Sequence, residues 1–321
     1  MKVVVTGGAG YIGSVVSVHL LEAGHEVIVL DNLSNGHREA VPEGARFVQG
    51  EISDFARLLS DEAGIDAVLH FASSIIVGES MHHPELYWQN NVIASLQLIE
   101  AVRLLGIPRF IFSSTAAVYG NPETIPITED APPRPTNTYG MTKLALDNAL
   151  TSYALAHGLA ASSLRYFNVA GAYKQYGERH PVETHLIPLA LDAAAGKRDN
   201  FSLYGDDYPT PDGTCIRDYI HVADLARAHV LALACLQPGT HAIYNLGNGA
   251  GFSNKEVIAA VERVTGKTLR YAVLPRRDGD PAQLIASSKK AQDELGWQPE
   301  KASLDEIIGD AWRFYQQNAA D

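Results

Sequence analysis

The stretch "KVVVTGGAGYIGSVVSVHLLEAG", residues 2–24, decides the fold. Its first five residues, Lys2–Thr6, are a β-branched apolar run of strand length. Tyr11 onward has a helical pattern, and Gly24 supplies its stop signal. Between them lie Gly7, Gly10 and Gly13, and Gly8, Gly10 and Gly13 also satisfy G-x-G-x-x-G. Glycines at a strand-to-helix junction permit a tight turn and close approach to a pyrophosphate. The helix then presents unsatisfied N–H groups and a positive dipole end to that anion. Glycine-rich turns are common, so the context carries the reading rather than the glycines alone. The expectation is a dinucleotide-binding βαβ unit at the start of the chain.

A second strand, "EVIVL" (26–30), leads into Asp31, 18 residues after Gly13. A carboxylate there accepts hydrogen bonds from adenosine ribose hydroxyls and repels a 2′-phosphate, which favours NAD over NADP. The alternative makes Asp31 a turn residue in "DNLSNG". Glu51, after the third strand, is placed to approach the adenine, although a solvated loop carboxylate has the same sequence signature. Further strands are expected at "RFVQG" (46–50), "AVLHF" (67–71), "RFIFSS" (109–114) and "ASSLRYF" (161–167). Helical patterns lie between them at 84–106 and 139–158, each closed by a glycine. Apolar strands separated by helical crossovers predict a Rossmann-type doubly wound parallel α/β sheet.

After residue 180 the regular alternation is not expected to continue. Ser253 and Glu256 form a capping-box pattern before "FSNKEVIAAVERVTG", and "LDEIIGDAWRFYQQNA" is amphipathic. The expected organisation is an NAD-binding Rossmann domain over 1–167 and a smaller α/β substrate-binding domain over 168–321, with some segments returning to the first.

Composition excludes several classes. The chain has 321 residues, 46% hydrophobic and 19% charged, which fits a folded globular protein rather than a disordered one. A net charge of −12 with no basic run argues against nucleic-acid binding. No stretch approaches the ~20 apolar residues of a membrane span, and the N-terminal run is too short for a signal peptide. The two cysteines suggest a reducing, cytoplasmic setting rather than a disulfide framework. No metal-ligand motif stands among the 12 histidines, and the adjacent His82 and His83 read as solvated loop residues.

"NTYGMTK" (137–143) places Tyr139 and Lys143 one helical turn apart, on one face. A lysine cation favours a phenolate. A fall of about 3 pKa units, or roughly 4 kcal/mol, would make Tyr139 a useful base at neutral pH. Such pairs also arise by chance on surfaces, so the rest of the chain decides.

The glycine turn, Asp31, "FSSTAAVYG" (112–120) and Tyr139-x-x-x-Lys143 stand in the order of the extended short-chain dehydrogenases/reductases, which the whole chain resembles. "RYFNVAG" (165–171), "YGDDYPTPDGTCIRDYIHVADLARAH" (204–229) and "RRDGDPAQLIAS" (276–287) make it similar to the UDP-glucose 4-epimerases within them. The resemblance implies Tyr139 as base, Lys143 as the cation beside it, and Thr115 as the hydroxyl at the sugar O4. It implies NAD contacts from Gly7, Gly10, Tyr11, Ile12 and Gly13 at the turn. Asp31, Asn32, Asn35, Glu51 and Ile52 would surround the adenosine. Phe71, Ala72, Asn90, Tyr139, Lys143 and Phe167 would complete the cofactor site, Asn90 on its nicotinamide side and Lys143 at the nicotinamide ribose. A UDP-sugar would meet Thr115, Tyr139, Asn168, His185, Leu186, Tyr204, Arg217, Arg277 and Asp280. The two arginines have a physical reason, because a guanidinium fork matches phosphate oxygens. A role in galactose metabolism and a homodimer packed through helices around 86–105 and 140–157 are implied likewise.

Three positions depart from the family pattern. Ile75 stands where some relatives carry a lysine beside the cofactor, Glu51 where they carry aspartate, and Leu284 where they carry tyrosine or cysteine near the sugar. Retention of NAD and tolerance of an N-acetylated sugar therefore stay open. A dehydratase or decarboxylase needs acidic groups directly after Thr115, and Ala116 and Ala117 cannot transfer protons. An epimerase of another UDP-sugar such as UDP-glucuronate, an alcohol dehydrogenase and a non-catalytic NAD-binding protein are the remaining alternatives. The last follows from the rule that a fold alone does not fix a function.

Overall fold

The computed structural model describes residues 1–199, 201–277 and 280–318. Seven parallel strands form the central sheet. They are β1 (Lys2–Thr6), β2 (Glu26–Asp31), β3 (Arg46–Gln49), β4 (Ala67–His70), β5 (Arg109–Thr115), β6 (Ala160–Tyr166) and β7 (His241–Leu246). Their order is β7-β6-β5-β4-β1-β2-β3. The order reverses between β1 and β4, which opens a crevice at the carboxyl ends of the strands there.

Alternation along the strands feeds two cores. Val3, Val5, Val27 and Val29 face one side of the sheet, where α1 (Tyr11–Glu22) packs. Val4, Ile28 and Leu30 face the other, against α2 (Ala94–Leu104) and α3 (Thr138–His157). Both faces are covered, so the strands read as continuous apolar runs. Between β1 and α2, His70 bridges two hydroxyls, with Nδ1 2.7 Å from Thr6 Oγ1 and Nε2 2.8 Å from Ser95 Oγ.

A third core joins α4 (Leu186–Ala194), α6 (Asn254–Thr265) and α8 (Leu304–Asn318). The capping box at Ser253 and Glu256 is formed. Helix α7 (Lys289–Leu295) follows a short strand at Gln283–Leu284, which pairs with Ile216–Arg217.

The structure departs from the sequence reading in three places. The β/α alternation does resume late. Helix α5 (Val222–Cys235) and β7 return to the main sheet, where β7 pairs in parallel with β6. The long excursion from residue 167 to 240 hides this connection from a local pattern. The expected helix over 84–106 is also interrupted. A turn at Pro84–Tyr87 runs into π-helical backbone over Trp88–Ile93 before α2 begins. Such wide turns re-aim side chains inside a helix, and here Asn91 is buried. Finally, His82 closes a short helix, Val77–His82, rather than lying in a loop, though both His82 and His83 are exposed. No helix among the described residues is long and apolar enough to cross a membrane.

Candidate active site

The glycine turn follows β1 and lies against the segment after β4. Gly7 has φ +71°, and a Cβ there would stand 2.6 Å from the Ala72 nitrogen. A Cβ on Gly13 would stand 2.3 Å from the Gly7 oxygen. The backbone is therefore drawn into a cradle that only glycine allows. Gly10 begins α1 without a side-chain cap, so the first-turn amides of Tyr11, Ile12 and Gly13 have no partner within the helix. The donor set and the bare backbone fit a pyrophosphate.

Asp31 closes β2 and is buried. Its carboxylate accepts the Ala9 N–H at 3.0 Å and the Leu33 N–H at 2.8 Å. Burial raises its pKa, and those two amides partly offset the effect. Asn32 donates to Glu51 at 3.1 and 3.2 Å, which ties the loop after β2 to the residue after β3. Asn35 is exposed beside them, and Ile52 is buried beneath. Phe71 and Ala72 lie half-buried at the end of β4. The carboxylate, the cradle and this rim fit the adenosine and diphosphate of NAD.

Thr115 is the last residue of β5 and caps the turn Ala116–Tyr119, its Oγ1 accepting the Ala117 N–H at 3.1 Å. Asn137 caps α3 by accepting the Gly140 N–H at 2.8 Å, which sets the register that aims Tyr139 and Lys143 inward. Burial pushes the Tyr139 phenol up to about 12, opposed by a hydrogen bond with Thr115. Burial also lowers the Lys143 ammonium to about 7, with Asp147 acting the other way. The Lys143 Nζ donates to Ser73 Oγ and to the Ser113 carbonyl, each at 2.8 Å, and lies 5.7 Å from the centre of the Tyr139 ring. The expected lowering of the tyrosine is thus absent from the protein alone. Burial outweighs Thr115, and the Lys143 ammonium is held by Ser73 and the Ser113 carbonyl.

Ser113 and Ser114 serve other neighbours. Ser113 Oγ meets the Tyr166 hydroxyl, and Ser114 Oγ donates to Asp147 at 3.2 Å. Asp147 also accepts from Arg165 in a buried ion pair, which fixes α3 against β6.

Sequence reasoning missed Ser73, Asn91 and Asp218. Asn91 accepts from the Ser74 N–H at 2.8 Å and donates to the Ser74 carbonyl at 3.0 Å. It thereby holds the loop that offers Ser73 to Lys143. Asn90, its exposed neighbour, donates to Ser74 Oγ at 3.0 Å. The doublet "NN" at 90–91 is the only signal, and it does not say which residue turns inward.

Across the crevice, Arg217 donates to Asp280 at 2.5 Å, and the Arg277 guanidinium stacks 4.2 Å from the Tyr204 ring centre. Asn168 donates to the Asp218 carbonyl at 3.1 Å. Leu284 pairs in register with Arg217 and packs with Phe167 on Val118, Tyr119 and Ile127. The Asp218 carboxylate accepts three backbone amides, from Asn248, Gly249 and Ala286. It thus fastens the end of β7 to the strand carrying Leu284. Leu186 opens α4. His185 stands just before it at the N-cap position without a side-chain cap, and its Nδ1 lies 2.7 Å from Glu183 Oε1.

A buried phenol, hydroxyl and lysine at a strand end, beside a dinucleotide cradle, can move a proton at an alcohol next to a nicotinamide. The family model for the NAD dependent epimerase/dehydratase family matches residues 3–247. The UDP-glucose 4-epimerase of Corynebacterium glutamicum is 55% identical over 98% of this chain and 95% of its own. Two solved structures share the architecture. The UDP-glucose 4-epimerase from Brucella ovis in complex with NAD is 46% identical, with TM-score 0.93 and 98% of each chain covered. That from Bifidobacterium longum in complex with NAD+ and UDP is 36% identical, with TM-score 0.94 and 99% of each chain covered.

Proposed function

The chain belongs to the NAD dependent epimerase/dehydratase family, and we infer that it is a UDP-glucose 4-epimerase that interconverts UDP-glucose and UDP-galactose through a 4-keto sugar. The observation that carries this reading is the convergence of Thr115, Tyr139 and Lys143 at the end of β5, with Ala116 and Ala117 next to them. Bound NAD supplies the reversible hydride acceptor for C4 of the sugar.

The chain's own part is proton transfer and positioning. Tyr139, as phenolate, takes the O4 proton and returns it after the ring has turned over. Thr115 holds O4 and relays between it and the phenol, since a hydroxyl both donates and accepts. Lys143, when charged, offsets the negative charge that builds on Tyr139. Ser73 and the Ser113 carbonyl keep its ammonium in place. Alanines after Thr115 leave no second acid to expel water, so the product is an epimer.

Arg217, Arg277, Asp280, Asn168 and Tyr204 are the UDP contacts in this reading, with His185 and Leu186 at the start of α4. Leu284 borders the sugar, and its size leaves room for an N-acetyl group at C2. The chain works as a homodimer in the cytoplasm, in galactose metabolism. The dimer is supported by exposed apolar side chains on adjoining helical surfaces, among them Leu86, Trp88, Ile93 and Met141.

Purified protein mixed with UDP-galactose, without added NAD, is expected to yield UDP-glucose by chromatography. No conversion, or conversion that stops after one turnover with NADH released, would count against the reading.

A further inference from the structure

The segment "ERHPVETH", residues 178–185, carries four groups that the proposed chemistry does not use together. Glu178, His180, Glu183 and His185 each offer one ligating atom, and these atoms lie within 4.8 Å of one another. Both imidazoles use Nδ1. His180 Nδ1 stands 3.0 Å from Glu178 Oε1 and 3.5 Å from Glu183 Oε2. His185 Nδ1 stands 3.0 Å from Glu178 Oε1 and 2.7 Å from Glu183 Oε1.

We propose that Glu178, His180, Glu183 and His185 form a structural site for a divalent cation of the zinc class. A tetrahedron with metal–ligand bonds of about 2.0–2.1 Å has edges of roughly 3.3–3.4 Å. The imidazole–carboxylate spacings run from 2.7 to 3.5 Å and the whole set lies within 4.8 Å, so a cation needs the ligands to adjust, the closest pairs by about half an ångström outward. A second observation points the same way. His180 Nδ1 is buried and, despite its short distance to Glu178, makes no hydrogen bond of acceptable geometry.

Two imidazoles and two carboxylates suit zinc better than magnesium or calcium, which favour all-oxygen shells. Four protein ligands close the shell, as structural sites do. A cavity of about 240 Å³, lined in part by Glu178, His180 and Glu183, gives an entry path. Its other wall includes Arg179 and Lys197, whose charges rest over the Phe314 and Tyr315 rings.

The location gives the ion its work. His37, on the loop that follows Asp31, makes a 2.8 Å hydrogen bond to the Arg179 carbonyl. His185 stands just before α4. The chelate therefore pins the segment that joins the cofactor side to the lobe expected to hold UDP. Without a metal, the carboxylates hold both imidazoles protonated against the effect of burial, His180 up to about 9 and His185 up to about 10. A cation replaces those protons, and an ion cluster of histidinium and glutamate is the rival.

The test uses tag-free protein stripped with a chelator, then given zinc chloride and desalted. The expected result is about one zinc per chain by elemental analysis, with a raised melting temperature. Glu178→Gln and His180→Asn, which leave the UDP contacts untouched, are each expected to lose at least ~10-fold in zinc affinity. Cobalt(II) on the wild type is expected to give the strong visible absorption of a tetrahedral site, which decides the matter should either variant fail to fold. Retention of no zinc with no thermal shift, equal zinc binding by the variants, or only the weak absorption of octahedral cobalt would overturn the proposal.

Discussion

At the scale of single residues, the account rests on Tyr139. Burial pushes its phenol up to about 12, and the neighbouring Thr115 acts the other way. Tyr139→Phe keeps the ring and removes the titrating group. Turnover is expected to fall by about 10²–10⁴, the usual range for a lost general base, with bound NAD still recoverable from the variant. Wild-type turnover in the variant would show that another group moves the proton. Leu284 sets the second residue-scale expectation. It shares a small cluster with Phe167 and with Leu144 of α3, and pairs in register with Arg217. Leucine lacks the reach of a tyrosine ring, so wild type is expected to accept UDP-N-acetylglucosamine as well as UDP-glucose. Leu284→Tyr is expected to depress kcat/KM for the N-acetyl donor selectively. Equal losses on both donors, or a wild type inert toward the N-acetyl donor, would show that Leu284 only packs.

At the scale of elements, most of the sheet could be read from sequence because each of β1–β6 is a local apolar run bounded by turns. The observed strands lie within about a residue of those runs. β7 escaped because its neighbour β6 is separated from it by the whole excursion from residue 167 to 240, and "HAIYNL" is half-polar. The Thr115, Tyr139 and Lys143 set was legible because a strand end and an i, i+4 pair are local signals. Ser73, Asn91 and Asp218 were not, since each acts through backbone partners remote in sequence. "RDYIHVADLA" shows the difference most clearly. It carried much of the family resemblance, yet Arg217 is its one expected substrate contact. Asp218 gathers three loop amides, His221 meets Asp310 at 3.1 Å, and Asp224 accepts the amides of Glu300 and Lys301. A motif can thus be specific to a function while most of its residues hold the chain together. The π-helical turn has a consequence of the same kind. It brings Trp88 and Ile93 to the surface beside Met141 of α3. Light scattering is expected to read about twice 34.7 kDa, and Ile93→Glu is expected to shift the protein toward monomer. A wild type that elutes as a monomer at micromolar concentration would remove this surface from the account.

At the scale of the molecule, buried neutral histidines make the fold acid-sensitive. Burial lowers His70 to about 3, and His229 and His241 to about 4. Unfolded histidines titrate near 6.5, so below that pH the unfolded chain binds more protons than the native one. Their stabilisation is complete above about pH 6.5 and is lost as pH falls toward 4. Each is expected to cost roughly 1–2 kcal/mol by pH 5. The urea midpoint should drop between pH 7.5 and pH 5, and a flat profile would contradict the buried neutral assignment. His180 and His185 are raised instead, so their contribution changes above pH 6.5 and does not mask this window. In the proposed reaction one protein molecule, with its own NAD, removes hydrogen from C4 and returns the same hydrogen to the other face. UDP-galactose carrying deuterium at C4 is therefore incubated in ordinary water with no added cofactor. The expected product is UDP-glucose that keeps the deuterium at C4. Product with protium there, the label washed out to solvent, would contradict it.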